Sequence, residues 1–208
     1  MATPKLLIDG PKKATWSVAL AHGAGAAMDS AFMNAMAAGL AKRGYRVARF
    51  EFPYMAARRQ GKKGPPNREP VLRETWLAVV NELGNEHLVI GGKSMGGRIA
   101  SLIADEAAVA GLVCLGYPFH PVGKSDQLRV KHLHVIKAPT LILQGERDPF
   151  GSREEVSAYK LASILRIAWM KDGDHSLKPR KKSGVTEEEN WNAAIEEIDR
   201  FASRLRPA

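Results

Sequence analysis

The chain has 208 residues, of which 45% are hydrophobic and 25% charged, with a formal net charge of +9 and a sequence pI near 9.8. This length and composition are typical of one globular domain with a full hydrophobic core, predicted over residues 1–208. The one cysteine, Cys114, excludes an intramolecular disulfide framework and indicates a reducing compartment. No apolar run approaches the ~18 residues of a membrane span, so neither a membrane partner nor membrane insertion is expected.

Two further features bear on partners and location. Basic residues concentrate at 58–68 and 178–182, but no helix-turn-helix, zinc-finger or aromatic–basic RNA-binding pattern accompanies them. A solvated basic surface is therefore favoured, and no nucleic-acid partner is predicted. The segment 12–21 loosely imitates a signal peptide, yet it continues directly into His22-Gly23-Ala24-Gly25, which is typical of a core strand ending in a functional loop. We predict a soluble, cytoplasmic protein.

The first half of the chain alternates strand-like and helix-like segments. Three runs have strand character, and two segments have helical apolar spacing or caps. Between them lies a basic segment rich in glycine and proline that is predicted as one long loop. The strands are expected at 5–9, 15–21 and 45–52, the helices at 31–43 (capped by Asp29 or Ser30 and ended at Gly44) and from about 71 to 83, and the loop at 53–70.

The second half continues the alternation. Short Val/Ile/Leu-rich strands are followed by helices, and two of these helices open with capping boxes. Continuous apolar strands that alternate with helices predict an α/β fold, a parallel sheet covered by helices on both faces. The strands are expected at 87–91, 111–115, 140–143 and 164–170, and the capping boxes at Ser152–Glu155 and Thr186–Glu189.

The segment Gly92-Lys93-Ser94-Met95-Gly96 fits G-x-S-x-G, the pattern of a nucleophile elbow. A serine on a sharp strand-to-helix turn has strained backbone geometry, so the positions two before and two after it must carry almost no side chain. Gly92 and Gly96 satisfy this demand. The turn follows an apolar strand and opens a helix whose N-terminal N–H groups can stabilise negative charge, so Ser94 is the candidate nucleophile.

A nucleophilic serine needs a base, and the base needs an orienting acid. In elbow-containing folds the chain order is serine, acid, histidine. Asp148 lies in the loop after one predicted strand and His175 in the loop after the last, both at the edge where parallel sheets form active sites. Glu146 is a rival acid, less well placed to reach across. Asp172 and Asp174 are favoured as turn formers, and the other five histidines as structural or solvated residues.

The oxyanion hole of such a site uses the N–H after the nucleophile and an N–H from the loop after an early strand. Met95 follows Ser94 and supplies the first donor. The loop His22-Gly23-Ala24-Gly25 follows the second strand, which makes Ala24, together with Gly23, the candidate for the second. A flexible turn is the alternative for this loop, and its occurrence beside three other matching parts argues against it.

These motifs resemble the α/β-hydrolase superfamily over essentially the whole chain. More narrowly, the chain is similar to a small family shared with a testis-expressed protein and a subunit of the NSL histone-acetyltransferase complex. The narrower resemblance rests on six segments: HGAGA (22–26), FPYM (52–55) with Arg58-Arg59, GKSMGGR (92–98), GYPFHP (116–121), LQGERD (143–148) and DGDHSLKPRKKSG (172–184).

The superfamily resemblance implies hydrolysis of an ester, thioester or amide through Ser94, Asp148 and His175. Neither a metal nor an organic cofactor is implied. The narrower family implies no substrate, and its complex-associated members leave a second reading, a catalytically silent binding or scaffold protein with the same fold. The intact triad argues against that reading, because a scaffold has no physical need for the three residues together.

The expected partner is a small acyl substrate. Residues 115–140 leave no room for a large cap domain, so an open site is predicted. The basic loop and Lys93, beside the nucleophile, are expected to favour an anionic acyl donor, with Arg58 and Arg59 offering forked donors for a carboxylate or phosphate. A purely solvated loop is the alternative. The sequence specifies neither the acyl group nor an oligomeric state.

Overall fold

The computed structural model describes residues 3–208, so the first two residues of the predicted domain lie outside the described part. Its regular elements alternate along the chain as the sequence predicts. The strands are β1 (Leu7–Asp9), β2 (Ser17–Ala21), β3 (Arg46–Phe50), β4 (Leu88–Lys93), β5 (Gly111–Leu115), β6 (Thr140–Gly145) and β7 (Leu165–Met170). The helices are α1 (Ala31–Lys42), α2 (Pro53–Arg59), α3 (Glu69–Leu83), α4 (Met95–Ile103), α5 (Arg153–Ser157) and α6 (Glu187–Ala202), and short 3-10 turns lie at Lys131–His134 and Lys181–Ser183.

The strands form one seven-stranded sheet with the order β1-β3-β2-β4-β5-β6-β7. The six strands from β2 to β7 are parallel to their neighbours, whereas β1 is an antiparallel edge strand on β3. Because β2 and β5 flank β4, their loops must meet beside the end of β4. This mostly parallel sheet confirms the predicted α/β-hydrolase fold.

Helices cover both faces of the sheet and divide the core into two layers. One layer packs α3 and α4 against the sheet, with Trp76 and Ile99 fully buried. The other packs α1 and α6 against the opposite face, with Met36 and Ile198 fully buried. Strands buried on both faces have no polar side, which explains the continuous apolar runs in the sequence.

The predicted loop at 53–70 is wrong in part, because its first seven residues form α2 and its last two open α3. Pro53 occupies the first turn, where its missing N–H removes no hydrogen bond, and Phe52 is the extended residue before it. Tyr54 and Met55 are buried by this helix. Proline-rich composition concealed the helix, since proline at a helix start stabilises the fold that it would disrupt elsewhere. Only residues 60–68 remain as a basic loop.

Helix caps were predicted well by local chemistry. Ser30 caps α1 by accepting a hydrogen bond from the N–H of Met33, and the two capping boxes at Ser152 and Thr186 are both formed. Gly44 adopts a left-handed φ of 91° directly after Arg43, the C-cap residue of α1. Among residues 3–208, no helix is both long and apolar enough to cross a bilayer.

Candidate active site

Ser94 stands at the turn between β4 and α4 in a conformation that few residues other than glycine adopt. Its φ is 51° and its ψ is −116°. The backbone is held there from both sides, since the N–H of Ser94 donates to Leu115 O and the N–H of Arg98 donates to Ser94 O. Such a strained residue persists only when the surrounding structure determines it, and it marks a candidate functional position.

The two elbow glycines allow the turn to approach β2. A β-carbon placed on Gly92 would lie 2.1 Å from the carbonyl oxygen of Ala21, and Gly92 has a φ of 149°. A β-carbon on Gly96 would lie 2.6 Å from the carbonyl oxygens of both Ala21 and His22. These distances are far below van der Waals contact, so both positions require glycine, as the motif predicts.

The structure brings Ser94, His175 and Asp148 into one hydrogen-bonded chain. The Nε2 atom of His175 lies 2.8 Å from Ser94 Oγ, and its Nδ1 atom lies 2.8 Å from Asp148 Oδ2. A carboxylate can only accept, so Nδ1 carries the proton and Nε2 is left free to accept the serine proton. The carboxyl group of Asp148 is fully buried, whereas the imidazole of His175 is 21% exposed. The histidine is therefore accessible from solvent, whereas the acid is not.

The rival acid has other partners. Glu146 pairs with Arg153 at 2.8 Å and accepts a hydrogen bond from the N–H of Asp172. Asp172 binds the guanidinium groups of Arg147 and Arg180, and hydrogen bonding from Arg180 holds the pKa of its carboxyl well below the usual range. These contacts place Glu146 and Asp172 in a network that supports the loops rather than against the imidazole.

Asp174 shapes the loop that carries the histidine. Its Oδ1 atom accepts hydrogen bonds from the N–H groups of Ser176 and Lys178 at 2.8 and 3.0 Å. This is the side-chain-to-backbone pattern of a turn-forming aspartate. The turn returns the chain directly after His175, in agreement with the interpretation of Asp174 as a turn former.

Gln144 is a site residue that the sequence analysis missed. It is fully buried at the end of β6, and its Nε2 atom donates to Asp148 Oδ2 at 2.9 Å and to Gly151 O at 3.1 Å. The same amide pairs with the backbone of Tyr117, accepting from its N–H at 2.7 Å and donating to its carbonyl oxygen at 3.2 Å. With the N–H of Phe150 and the Nδ1–H of His175, the Gln144 amide brings the donors to the Asp148 carboxylate to three. A polar residue at the end of an otherwise apolar strand was the available signal.

Replacing Gln144 with methionine should lower kcat by about 10- to 100-fold with little change in KM, because hydrogen bonds to a buried charge contribute about 1.5–3 kcal/mol. Gln144→Glu should also move the acid limb of the kcat–pH profile upward, since a second carboxylate beside Asp148 disfavours its ionised form. Steady-state kinetics on an ester between pH 5 and 9 measures both effects. The exposed Gln127→Met is the matched control. A loss of thermal stability with an unchanged profile would show that Gln144 is only structural.

The loop after β2 is held from its core side. His22 is fully buried, and the N–H of Phe52 donates to its Nε2 atom at 3.1 Å, so its Nδ1 atom carries the proton and donates to Gly23 O at 2.6 Å. Burial lowers the pKa of His22 and keeps the ring neutral. The hydroxyl of Tyr54 lies 3.3 Å from Gly23 O and 3.0 Å from Ala24 O, to which it donates. His22 is thus a structural residue, as predicted.

These contacts orient the candidate oxyanion donors. A trans peptide unit points its C=O and its N–H in opposite directions. Since Gly23 O faces the buried His22 and Tyr54, the N–H of Ala24 in the same peptide unit faces away from them. A β-carbon on Gly23 would lie 3.7 Å from Ser94 Cβ, so this loop borders the serine. Met95, the first residue of α4, contributes a first-turn N–H that has no acceptor within the helix.

The two arginines predicted to bind substrate have partners within the protein. Arg59 forms a salt bridge with the nearly buried Glu51 at 2.8 Å and a second with Asp29 at 2.6 Å. Arg58 donates from its Nη2 atom to Gly64 O at 2.6 Å and lies over the ring of Tyr54. Both guanidinium groups therefore hold α2 and the following loop in place. The role of Arg58 and Arg59 in substrate binding stays a prediction.

Lys93 lies at the end of β4, immediately before the serine. Its Nζ atom is shielded from solvent, and among residues 3–208 it has no hydrogen-bond partner. Burial, opposed more weakly by the charges of Asp148 and Asp174, lowers its pKa to about 8. The ammonium group therefore faces the protein interior beside the triad rather than the open rim of the site.

Comparison with known proteins identifies the family of the chain. A family model described as an alpha/beta hydrolase domain matches residues 14–203, which is most of the chain. The chain belongs to the α/β-hydrolase family. Its match to the superfamily confirms the coarser of the two resemblances drawn from the motifs.

Solved α/β-hydrolases superpose over nearly the whole chain. An alpha-beta serine hydrolase homologue from Coxiella burnetii has a TM-score of 0.69 at 19% identity, covering 96% of this chain and 89% of its own. An α/β serine hydrolase without lid from Xanthomonas campestris has a TM-score of 0.71 at 17% identity over 94% and 88% of the two chains. Dienelactone hydrolase from Anabaena variabilis has a TM-score of 0.72 at 19% identity over 97% and 91%. At these identities the likeness concerns the fold.

A curated relative is more similar in sequence but matches over a shorter segment. The putative protein-lysine deacylase ABHD14B of Rattus norvegicus is 30% identical over 115 residues. The match covers 54% of this α/β-hydrolase chain and 52% of the relative, so the chain matches about half of that protein's length.

Proposed function

We propose that this protein is a serine hydrolase that cleaves an ester, thioester or related acyl bond through an acyl-enzyme intermediate. The observation that carries the proposal is the hydrogen-bonded chain from Ser94 Oγ through His175 to Asp148 Oδ2, with both links 2.8 Å long. Nucleophile, base and orienting acid at these distances constitute the arrangement that acyl transfer requires. Membership in the α/β-hydrolase family supports the same conclusion.

In the first half of the reaction, Ser94 Oγ attacks the carbonyl carbon while His175 Nε2 takes the serine proton. Asp148 keeps the imidazole in the required tautomer and stabilises the imidazolium that forms. The N–H groups of Met95 and Ala24, with Gly23 beside them, would hold the oxyanion, and each such donor contributes about 3 kcal/mol to the barrier reduction. Collapse of the tetrahedral intermediate expels the leaving group, which receives the proton from His175.

In the second half, His175 takes a proton from a water molecule that attacks the acyl–serine bond. The acid product leaves, and Ser94 recovers its proton. Every proton transfer uses a group already present in the hydrogen-bonded chain, so we propose no metal or organic cofactor. The hydrogen bond from Gln144 to Asp148 holds the acid in position through both halves.

Relatives suggest the range of substrates rather than one substrate. The rat relative is named as a putative protein-lysine deacylase, and solved neighbours include an esterase domain from Rhodothermus marinus and Est1E of Butyrivibrio proteoclasticus with bound ferulic acid. We therefore propose an acyl hydrolase of the carboxylesterase or thioesterase kind. The narrower resemblance to the family of a testis-expressed protein and an NSL complex subunit is part of the same proposal.

The decisive experiment is labelling of the purified protein by a fluorophosphonate probe, followed by peptide mapping of the modified residue. Modification of Ser94 alone, together with hydrolysis of short acyl esters or thioesters, is the expected result. A scaffold protein with this fold would remain unlabelled, because no activated serine would attack the probe. That outcome would favour the silent binding module instead.

The remaining basic loop gives a further prediction on substrate preference. Lys62 and Lys63 are exposed in the loop that follows α2, and among residues 3–208 no salt bridge joins them to a carboxylate. At low ionic strength we expect a higher kcat/KM for an acidic ester than for a neutral ester of equal acyl length. The difference should fade at high salt, which screens the attraction.

The double variant Lys62→Ala/Lys63→Ala should remove this anion preference without releasing Glu51 or Asp29, which replacement of Arg59 would do. Lys12→Ala/Lys13→Ala is the matched control. It removes the same charge before β2, at the amino-terminal end of that strand. Equal kcat/KM for both esters at low salt would contradict the prediction.

A further inference from the structure

The Lys93 side chain presents a physical problem that the proposed chemistry does not explain. A buried ammonium without a hydrogen-bond partner is strongly disfavoured relative to one in water. Its Nζ atom is nonetheless sealed from solvent and makes no hydrogen bond within residues 3–208. Because Lys93 is next to Ser94, we expect this unfavourable buried charge to have a role at the active site.

The surroundings of Nζ connect it to the triad. A β-carbon placed on Gly116 would lie 3.1 Å from Nζ of Lys93 and 3.3 Å from Nδ1 of His175, so both groups approach the same glycine. Gly116 has a φ of 66°, and a β-carbon there would also lie 2.6 Å from the carbonyl oxygen of His175, so this position requires glycine. The Phe32 ring of α1 lies 5.9 Å from Nζ and covers it from the helix side.

The charged groups that face Lys93 all belong to the two catalytic loops. They are Asp148, in the loop after β6, and Asp174 and His175, in the loop after β7. From α1 it meets the uncharged Phe32 ring. The cation therefore interacts electrostatically with Asp148 and Asp174 and lies beside His175.

We propose that Lys93 is a positioning residue that tunes the basicity of His175 through its charge, rather than a contact for substrate. This inference rests on the proposed function of the triad. While Lys93 is protonated, its positive charge opposes a second positive charge on the imidazole of His175. When Lys93 loses its proton, the imidazolium is stabilised more strongly, and the histidine becomes a better base.

Because burial places the pKa of Lys93 at about 8, its charge is present at neutral pH and is lost in mildly alkaline solution. Turnover should therefore rise in two steps. The first step reflects deprotonation of His175, and the second, near pH 8, reflects deprotonation of Lys93 and should raise kcat about three- to tenfold.

The direct test is an NMR titration of the His175 imidazole, with its resonance assigned by its loss in His175→Gln. In the native protein the resonance should show a second, smaller inflection near pH 8. In Lys93→Met and Lys93→Gln that inflection should vanish, and the pKa of His175 should rise by about one unit. Lys171→Met is the matched control, because it removes the same charge from an exposed lysine directly after β7.

Kinetics of the same variants complete the test. The step in kcat near pH 8 should be absent in Lys93→Met and retained in Lys171→Met. A native titration without the second inflection, or a His175 pKa that is unchanged in both Lys93 variants, overturns the inference. Because the NMR measurement requires no turnover, it separates failure of this inference from failure of the proposed hydrolase activity. If neither variant folds, the inflection in the native protein decides.

Discussion

Replacing Ser94 with alanine should abolish covalent labelling by a fluorophosphonate and lower kcat for ester hydrolysis by about 10⁵-fold or more. The hydroxyl is the only group lost, and without it no acyl-enzyme can form. The residual rate should approach what the oxyanion donors alone supply. Probe labelling followed by mass spectrometry, together with p-nitrophenyl ester turnover, measures the effect.

Two matched variants make the result specific to Ser94. Ser101 lies on the same helix, and its Oγ atom is 2.8 Å from His132 Nε2, but it donates to Arg98 O. Ser101→Ala should therefore keep the labelling. Ser94→Gly should also be inactive, yet more stable than Ser94→Ala by about 1 kcal/mol, since glycine adopts a φ of 51° without strain. Labelling that persists in Ser94→Ala would show that another residue is the nucleophile.

Loss of the base should be almost as severe as loss of the nucleophile. We expect His175→Ala to lower kcat by about 10⁵-fold, because no other group lies within reach of the serine proton in the described contacts. Asp148→Asn should lower it by about 10⁴-fold. The asparagine amide can donate to Nδ1 and so favour the wrong tautomer, and the imidazolium loses its buried counter-charge.

Glu146→Gln is the control for the acid. Its carboxylate pairs with the exposed Arg153 and with the backbone of Asp172, so its loss should change kcat less than about tenfold. The comparison requires kcat measured at saturating ester, with circular dichroism to verify folding. A crippled Glu146→Gln beside a mild Asp148→Asn would mean that the acid had been assigned to the wrong residue.

The sequence alone was enough to predict the features that depend only on neighbouring residues. The caps at Ser30, Ser152 and Thr186 depend on a side chain and a backbone N–H three residues away, and each is formed where the sequence predicts it. The elbow is also local, because Gly92 and Gly96 are required by the turn that Ser94 occupies. Apolar runs predicted the strands, since a strand buried on both faces has no polar side. The α/β-hydrolase fold follows from that alternation and is confirmed.

Tertiary structure decided whatever depends on a partner distant in the chain. The prolines and glycines of 53–70 suggested a loop, but burial of Tyr54 and Met55 makes its first part a helix. Gln144 acquires its role only because the loops after β5 and β6 meet around its amide.

The charged residues show the same limit. The sequence does not show which partners the Arg59 guanidinium has. In the fold it binds two carboxylates, one of them 30 residues away. Lys93 was predicted to face an anionic substrate, yet the loops after β5 and β7 enclose its Nζ atom beside His175. The sequence shows which residues are charged. Packing between distant segments decides their burial and their partners, and these two factors determine the role of each charge.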